Sequence, residues 1–112
     1  ETGVDSVAIA IGSAHGVYRT TPKLDLKRLD EINAATDTPL VLHGGSGIPH
    51  DQLAEAFKRG INKFNIGTEF FQLYFDSSKE YCEKNNAIFD LPRYAQEKLA
   101  GYLRKKMEIS KF

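Results

Sequence analysis

Two short stretches place a histidine where chemistry could happen. In Pro39-Leu40-Val41-Leu42-His43-Gly44-Gly45-Ser46-Gly47, an apolar run leads straight into His43 and then into small residues. In Gly12-Ser13-Ala14-His15-Gly16-Val17-Tyr18-Arg19, a second histidine again follows an apolar run and a small-residue turn. Neighbouring strands lie roughly 5 Å apart, so imidazoles at two adjacent strand ends can converge on one ion. A catalytic zinc site asks for a third protein ligand and an open position. No third histidine stands in register, because His50 falls at a helix start and reads as a surface residue. Each histidine taken alone reads more readily as a satisfied structural residue, and it is their equivalent positions on successive strands that point to a shared ion.

The second chemistry is anion binding. Gly44-Gly45-Ser46 and Asn65-Ile66-Gly67-Thr68 both follow an apolar strand and precede a helix. Backbone N–H groups at such a turn suit a phosphate. Glycine lets the backbone come close to a ligand, although it equally permits a tight turn with no ligand. Arg19 could add a cation.

The elements that position these residues alternate. Val4 to Ile11 is short, apolar after Ser6 and β-branched, so it reads as a buried strand. Asp25 is a helix N-cap, with Leu26, Leu29 and Ile32 at helical spacing behind it. Pro39 to Leu42 suits a parallel strand covered on both faces. Pro49 to Arg59 is a helix with Leu53, Ala56 and Phe57 as its stripe, ended by Gly60. Ile61 to Ile66 is a third strand. Glu69 to about Asn85 is an aromatic-rich helix (Phe70, Phe71, Tyr74, Phe75, Tyr81) that reads as core or subunit interface and is broken at Asn85-Asn86. Pro92 to about Ile109 closes the chain as a helix with Ala95, Leu99, Tyr102 and Leu103 on one side. The intervals from His15 to His43 and from His43 to Asn65 each match one strand–helix unit. This pattern predicts an α/β fold with a parallel sheet and right-handed crossovers, its ligands at one strand edge.

Composition narrows the partners. Fifteen basic and 15 acidic residues give zero formal charge, so neither nucleic acid nor an anionic membrane is indicated. No apolar run approaches the roughly 20 residues of a membrane helix. The opening Glu1-Thr2-Gly3 has neither signal-peptide nor transit-peptide character. The single Cys82 excludes an internal disulfide, fits a reducing, cytoplasmic setting and reads as structural. The chain has no initiator Met and enters a strand almost at once, which suggests a piece of a longer protein.

Together, Gly12 to Tyr18, Val41 to Gly47 and Asn65 to Thr68 resemble the class II, metal-dependent ketose-bisphosphate aldolases. The resemblance covers essentially the whole chain, with motifs in order and matching spacing. It implies a TIM (β/α)8 barrel of about 250 residues or more, of which residues 1–112 would be the C-terminal portion, strands six to eight with their helices. It implies that His15 and His43 are zinc ligands. Gly16, Gly44, Gly45 and Ser46 would hold the phosphate and hydroxyls of dihydroxyacetone phosphate. Asn65, Ile66, Gly67 and Thr68 would complete the cradle, with Asn65 catalytic, near the reacting carbon. Arg19 falls where many members carry a phosphate-binding Lys, and Arg93 is a candidate for the family's C-terminal arginine. The implied cofactor is zinc, with a second monovalent or divalent cation as an option. The implied reaction is reversible cleavage of a ketose 1,6-bisphosphate to dihydroxyacetone phosphate and glyceraldehyde 3-phosphate. Zinc would polarise the ketone carbonyl, whereas a Schiff-base route needs a strand-end lysine, and Lys63 is on the wrong edge. The implied assembly is a dimer or tetramer.

The family's third zinc-binding histidine, proton-moving aspartate and acidic loop residue lie upstream of anything in this chain. The chain by itself is therefore expected to be inactive, and marginal or prone to associate through open sheet edges. Two other readings remain. One is a non-catalytic phosphate-binding α/β domain with structural histidines. The other is a phosphosugar epimerase or isomerase, which needs a strand-end carboxylate that none of the three strands supplies.

Overall fold

The computed structural model describes residues 2–85 and 87–110, so Glu1, Asn86, Lys111 and Phe112 lie outside the described residues. The chain divides into two compact units, one running to Gly67 and the other beginning at Thr68.

The first unit is a three-stranded parallel sheet in the order β1-β2-β3, with β1 at Val7–Ile9, β2 at Leu40–Leu42 and β3 at Ile61–Phe64. Leu40, Val41 and Leu42 are all buried, as a continuous apolar run in a central parallel strand requires. The first strand departs from expectation. It is three residues long, and Val7 and Ala8 are exposed. Its apolar composition is real, but β1 is an outer strand whose only partner in the sheet is β2. Ile11, just beyond it, is the residue that enters the core, at 1% exposure.

The crossover helices follow their sequence signals. Helix α1, Leu26–Ala35, is capped by Asp25, whose Oδ1 accepts from the Arg28 N–H at 2.9 Å. The Asp25 N–H donates to the Ile11 carbonyl at 2.9 Å, which ties the helix start to the exit of β1. Helix α2, His50–Lys58, buries Leu53, Ala56 and Phe57. Gly60 follows it at φ 113°, and a Cβ there would collide with the Asn33 side chain. Gln52 on α2 reaches back to the loop after β1: its Oε1 accepts from Leu24 N–H at 2.8 Å, and its Nε2 donates to the Pro22 carbonyl at 3.1 Å.

Strand β3 carries one extra residue. Leu40 pairs with Ile61, but Val41 pairs with Lys63, so Asn62 is a bulge. The Asn62 Oδ1 accepts the Leu40 N–H at 2.9 Å, replacing a ladder bond that the bulge displaces. The strand itself ends at Phe64, two residues before the expected Ile66.

The second unit is a pair of helices, α3 at Thr68–Lys84 and α4 at Leu91–Ile109, joined through a single 3-10 turn at Ile88–Asp90 that periodicity alone does not reveal. The helices run antiparallel. Tyr81 near the end of α3 stacks on Tyr94 near the start of α4, with ring centroids 5.1 Å apart. Glu69 at the start of α3 meets Tyr102 and Lys106 towards the end of α4. The Tyr102 hydroxyl donates to Glu69 Oε2 at 2.6 Å, and Lys106 Nζ lies 2.8 Å from the same oxygen. Lys106 is only 4% exposed, so this carboxylate neutralises a buried charge that also lies over the Tyr102 ring, 5.5 Å from its centroid. Of the aromatic stripe on α3, Tyr81 is core, whereas Phe71, Tyr74 and Phe75 are exposed.

Two predictions follow from burial and charge. Leu42→Ala removes a fully buried side chain from the central strand and should cost about 2–5 kcal/mol. Val7→Ala on the exposed strand should cost under about 1 kcal/mol, and urea unfolding of the two variants checks the contrast. Burial and the Glu69 carboxylate raise the Tyr102 phenol above its ordinary value. The folded state thus holds that proton more tightly, so its stabilisation is complete below about pH 10 and is lost as pH rises further. The unfolding midpoint should fall from about pH 10 upward in the native chain and fall less in Tyr102→Phe.

Candidate active site

The three strands leave the sheet at the same edge, and the residues just beyond them meet. His43 is the first residue after β2, and its ring lies edge-on to that of His15, with centroids 5.3 Å apart and planes at 60°. Asn65 follows β3 closely. Its N–H donates to the Leu42 carbonyl and its carbonyl accepts from Gly45 N–H, both at 2.9 Å. These two bonds hold Asn65 across from His43 and Gly44, and its Nδ2 lies 3.4 Å from His43 Nδ1. A parallel sheet therefore brings together three polar groups from three separate loops.

The loop glycines serve different needs. Gly44 has φ 67°, and a Cβ there would run into the Ala14 carbonyl. Gly45 is crowded too, its notional Cβ 2.7 Å from the Phe64 ring. Gly16 and Gly67, by contrast, have open space where a side chain would stand. Ser46 is buried, and its Oγ accepts from the Gly67 N–H at 3.3 Å, a long bond that a better acceptor could displace. The Gly45 N–H is already committed to Asn65.

The remaining candidates spread out. Arg19 and His50 are exposed, the latter opening α2 as a surface residue. Ile66 is half-buried. Thr68 is the first residue of α3 and belongs to the second unit, as does Arg93, whose Nε pairs with Glu97 at 3.2 Å. Lys63 lies exposed within β3. Cys82 is an exposed free thiol.

Two imidazoles are suitable zinc donors in type, and their nearness fits a shared ion. They fall short of a complete set. Among the described residues, no group of three or more His, Cys, Asp or Glu side chains could hold a metal.

Tyr18 also belongs to the site. Tyr18 is part of the first motif, yet its hydroxyl accepts from Ala14 N–H at 2.7 Å and donates to the Gly44 carbonyl at 3.1 Å. An aromatic hydroxyl three residues beyond a loop histidine is the only trace of that role in the sequence.

The class-II fructose-bisphosphate aldolase family model matches residues 1–111. The chain belongs to that family. It is 42% identical over 94 residues to the 6-phospho-5-dehydro-2-deoxy-D-gluconate aldolase of Bacillus licheniformis, covering 84% of this chain and 32% of that protein. The crystal structure of the YdjI aldolase from Escherichia coli superposes with a TM-score of 0.86 at 35% identity, over 96% of this chain and 40% of that one. A putative fructose-1,6-biphosphate aldolase from Coccidioides immitis gives 0.88 at 27% identity, over 96% and 38%. This aldolase-family chain thus spans about a third of the length of its enzymatic relative. No described helix is long and apolar enough to cross a membrane.

The crowding at Gly44 and the openness at Gly67 predict opposite responses. Gly44→Ala should lower unfolding free energy by more than about 1 kcal/mol, because the new methyl meets backbone at a positive φ. Gly67→Ala should stay within about 0.5 kcal/mol. Denaturant unfolding of the two variants checks this.

Proposed function

We propose that this chain forms strands six to eight of a (β/α)8 aldolase barrel and handles the phosphorylated three-carbon ketone half of its substrate. The observation that carries this reading is the His15–His43 pair, ring centroids 5.3 Å apart, beside Asn65 at the C-terminal end of a parallel sheet. Barrel enzymes build their active sites at that end.

In this reading His15 and His43 supply two zinc ligands, and the third, with the general base, comes from the earlier strands of the complete protein. Zinc, when bound, supplies Lewis-acid polarisation of the ketone carbonyl. The chain's own residues bind and orient. Ser46 Oγ and the Gly67 N–H, 3.3 Å apart, turn to the substrate phosphate. Gly16 and Gly67 leave room for close approach, Gly44 and Gly45 shape the turn, and Arg19 adds positive charge. The Asn65 amide, fixed by its backbone bonds, sits near the carbon that loses its bond. Cleavage breaks the bond between the carbons α and β to the ketone. The β-hydroxyl loses its proton, the aldehyde half departs, and the electron pair moves towards the ketone oxygen before the α carbon is reprotonated.

Two substrates share that half. A ketose 1,6-bisphosphate releases a phosphorylated aldehyde, whereas 6-phospho-5-dehydro-2-deoxy-D-gluconate would release one that ends in a carboxylate. The 42% identity to the Bacillus licheniformis enzyme favours keeping the second beside the first. Both yield dihydroxyacetone phosphate, so one assay of that product serves both.

The complete protein should bind zinc and release dihydroxyacetone phosphate from one of the two substrates. His15→Ala and His43→Ala should each lower zinc content and reduce cleavage by at least about 100-fold. Unchanged zinc content in both variants would favour a phosphate-binding domain with structural histidines instead.

A further inference from the structure

We propose that Tyr18 is a positioning residue that sets the separation and relative orientation of His15 and His43. Ala14 immediately precedes His15, and Gly44 immediately follows His43. A single hydroxyl bridges these two residues, accepting from Ala14 N–H at 2.7 Å and donating to the Gly44 carbonyl at 3.1 Å. It therefore joins the two histidine loops at the backbone positions adjoining the imidazoles, where a small displacement moves each ring directly.

Two further contacts belong to the same device. Gly44 lacks a side chain where the Ala14 carbonyl approaches, so the two loops abut at the residues the hydroxyl links. Gly47, at φ 76°, lacks one where the Tyr18 ring lies; a Cβ there would stand 3.0 Å from the ring Cδ2. The hydroxyl is thus aimed by its own ring, and the ring is seated on the loop that carries His43. The Tyr18 hydroxyl is engaged with the two backbone groups, and Ala14, Gly44 and Gly47 carry no side-chain donor. Tyr18 acts through the geometry of the two histidines, as groups surrounding metal ligands commonly do.

The inference rests on the zinc reading above, and the experiment separates the two. In the complete barrel protein, zinc affinity is measured by competition with a chromogenic chelator for the native protein, Tyr18→Phe and His15→Ala. The visible spectrum of each cobalt(II)-substituted form is recorded alongside, as is the melting of each metal-free form. Tyr18→Phe keeps the ring and removes only the bridge. It should weaken zinc binding about 10-fold or more and change the cobalt spectrum, with the metal-free melting temperature unchanged. His15→Ala should lose the metal altogether. If His15→Ala binds zinc like the native protein, the zinc reading fails. If His15→Ala loses zinc while Tyr18→Phe keeps native affinity and spectrum, the role of Tyr18 fails and the zinc reading stands. A metal-free Tyr18→Phe that melts lower, or does not fold, would show a hydroxyl serving the fold at large, which also overturns the inference.

Discussion

Everything at the candidate site depends on the pairing of β2 with a parallel neighbour on each side. A strand bonded on both edges and covered on both faces has no place for a polar side chain, so Leu40, Val41 and Leu42 are apolar throughout. Polarity can begin only where the strand stops, and there it begins at once with His43. Parallel pairing makes the two flanking strands stop at the same edge. Three residues far apart in sequence thereby meet.

What the sequence made legible was local. The Asp25 cap, the Leu53–Ala56–Phe57 stripe and the Gly60 terminator each act within a few residues, and each stands where its signal put it. The strand ends, and hence the meeting of His15, His43 and Asn65, followed from alternation of strands and helices. Two misses are local, the 3-10 turn at Ile88–Asp90 and the end of β3 at Phe64, and the others are non-local. Exposure of β1 depends on what lies beside it, not on its composition. The Asn62 bulge depends on the register of two strands. The Tyr18 bridge spans from one loop to another, and no periodicity encodes it. The exposure of Phe71 and Phe75 shows the same limit, since a helix face can be apolar whether or not anything covers it.

The glycine-rich run looked uniform in sequence and is not. Gly44, Gly45 and Gly47 are small because protein stands beside them, whereas Gly16 and Gly67 face open space. Packing explains the first group fully. Only the second group leaves room for something else, and it lies in the loops that also carry His15 and Asn65.

The Asn62 bulge works as a change of phase. Up to Ile61, β3 is in step with β2 from Leu40; beyond it, β3 runs one residue behind. Without that offset, Phe64 would stand across from His43, and the edge would present an aromatic ring where it now presents an amide. The composition of the site is therefore set partly by counting, some three residues before the chain reaches it. Any attempt to transplant His43 and Asn65 together onto another parallel sheet must carry the extra residue with them, or the two will point past each other.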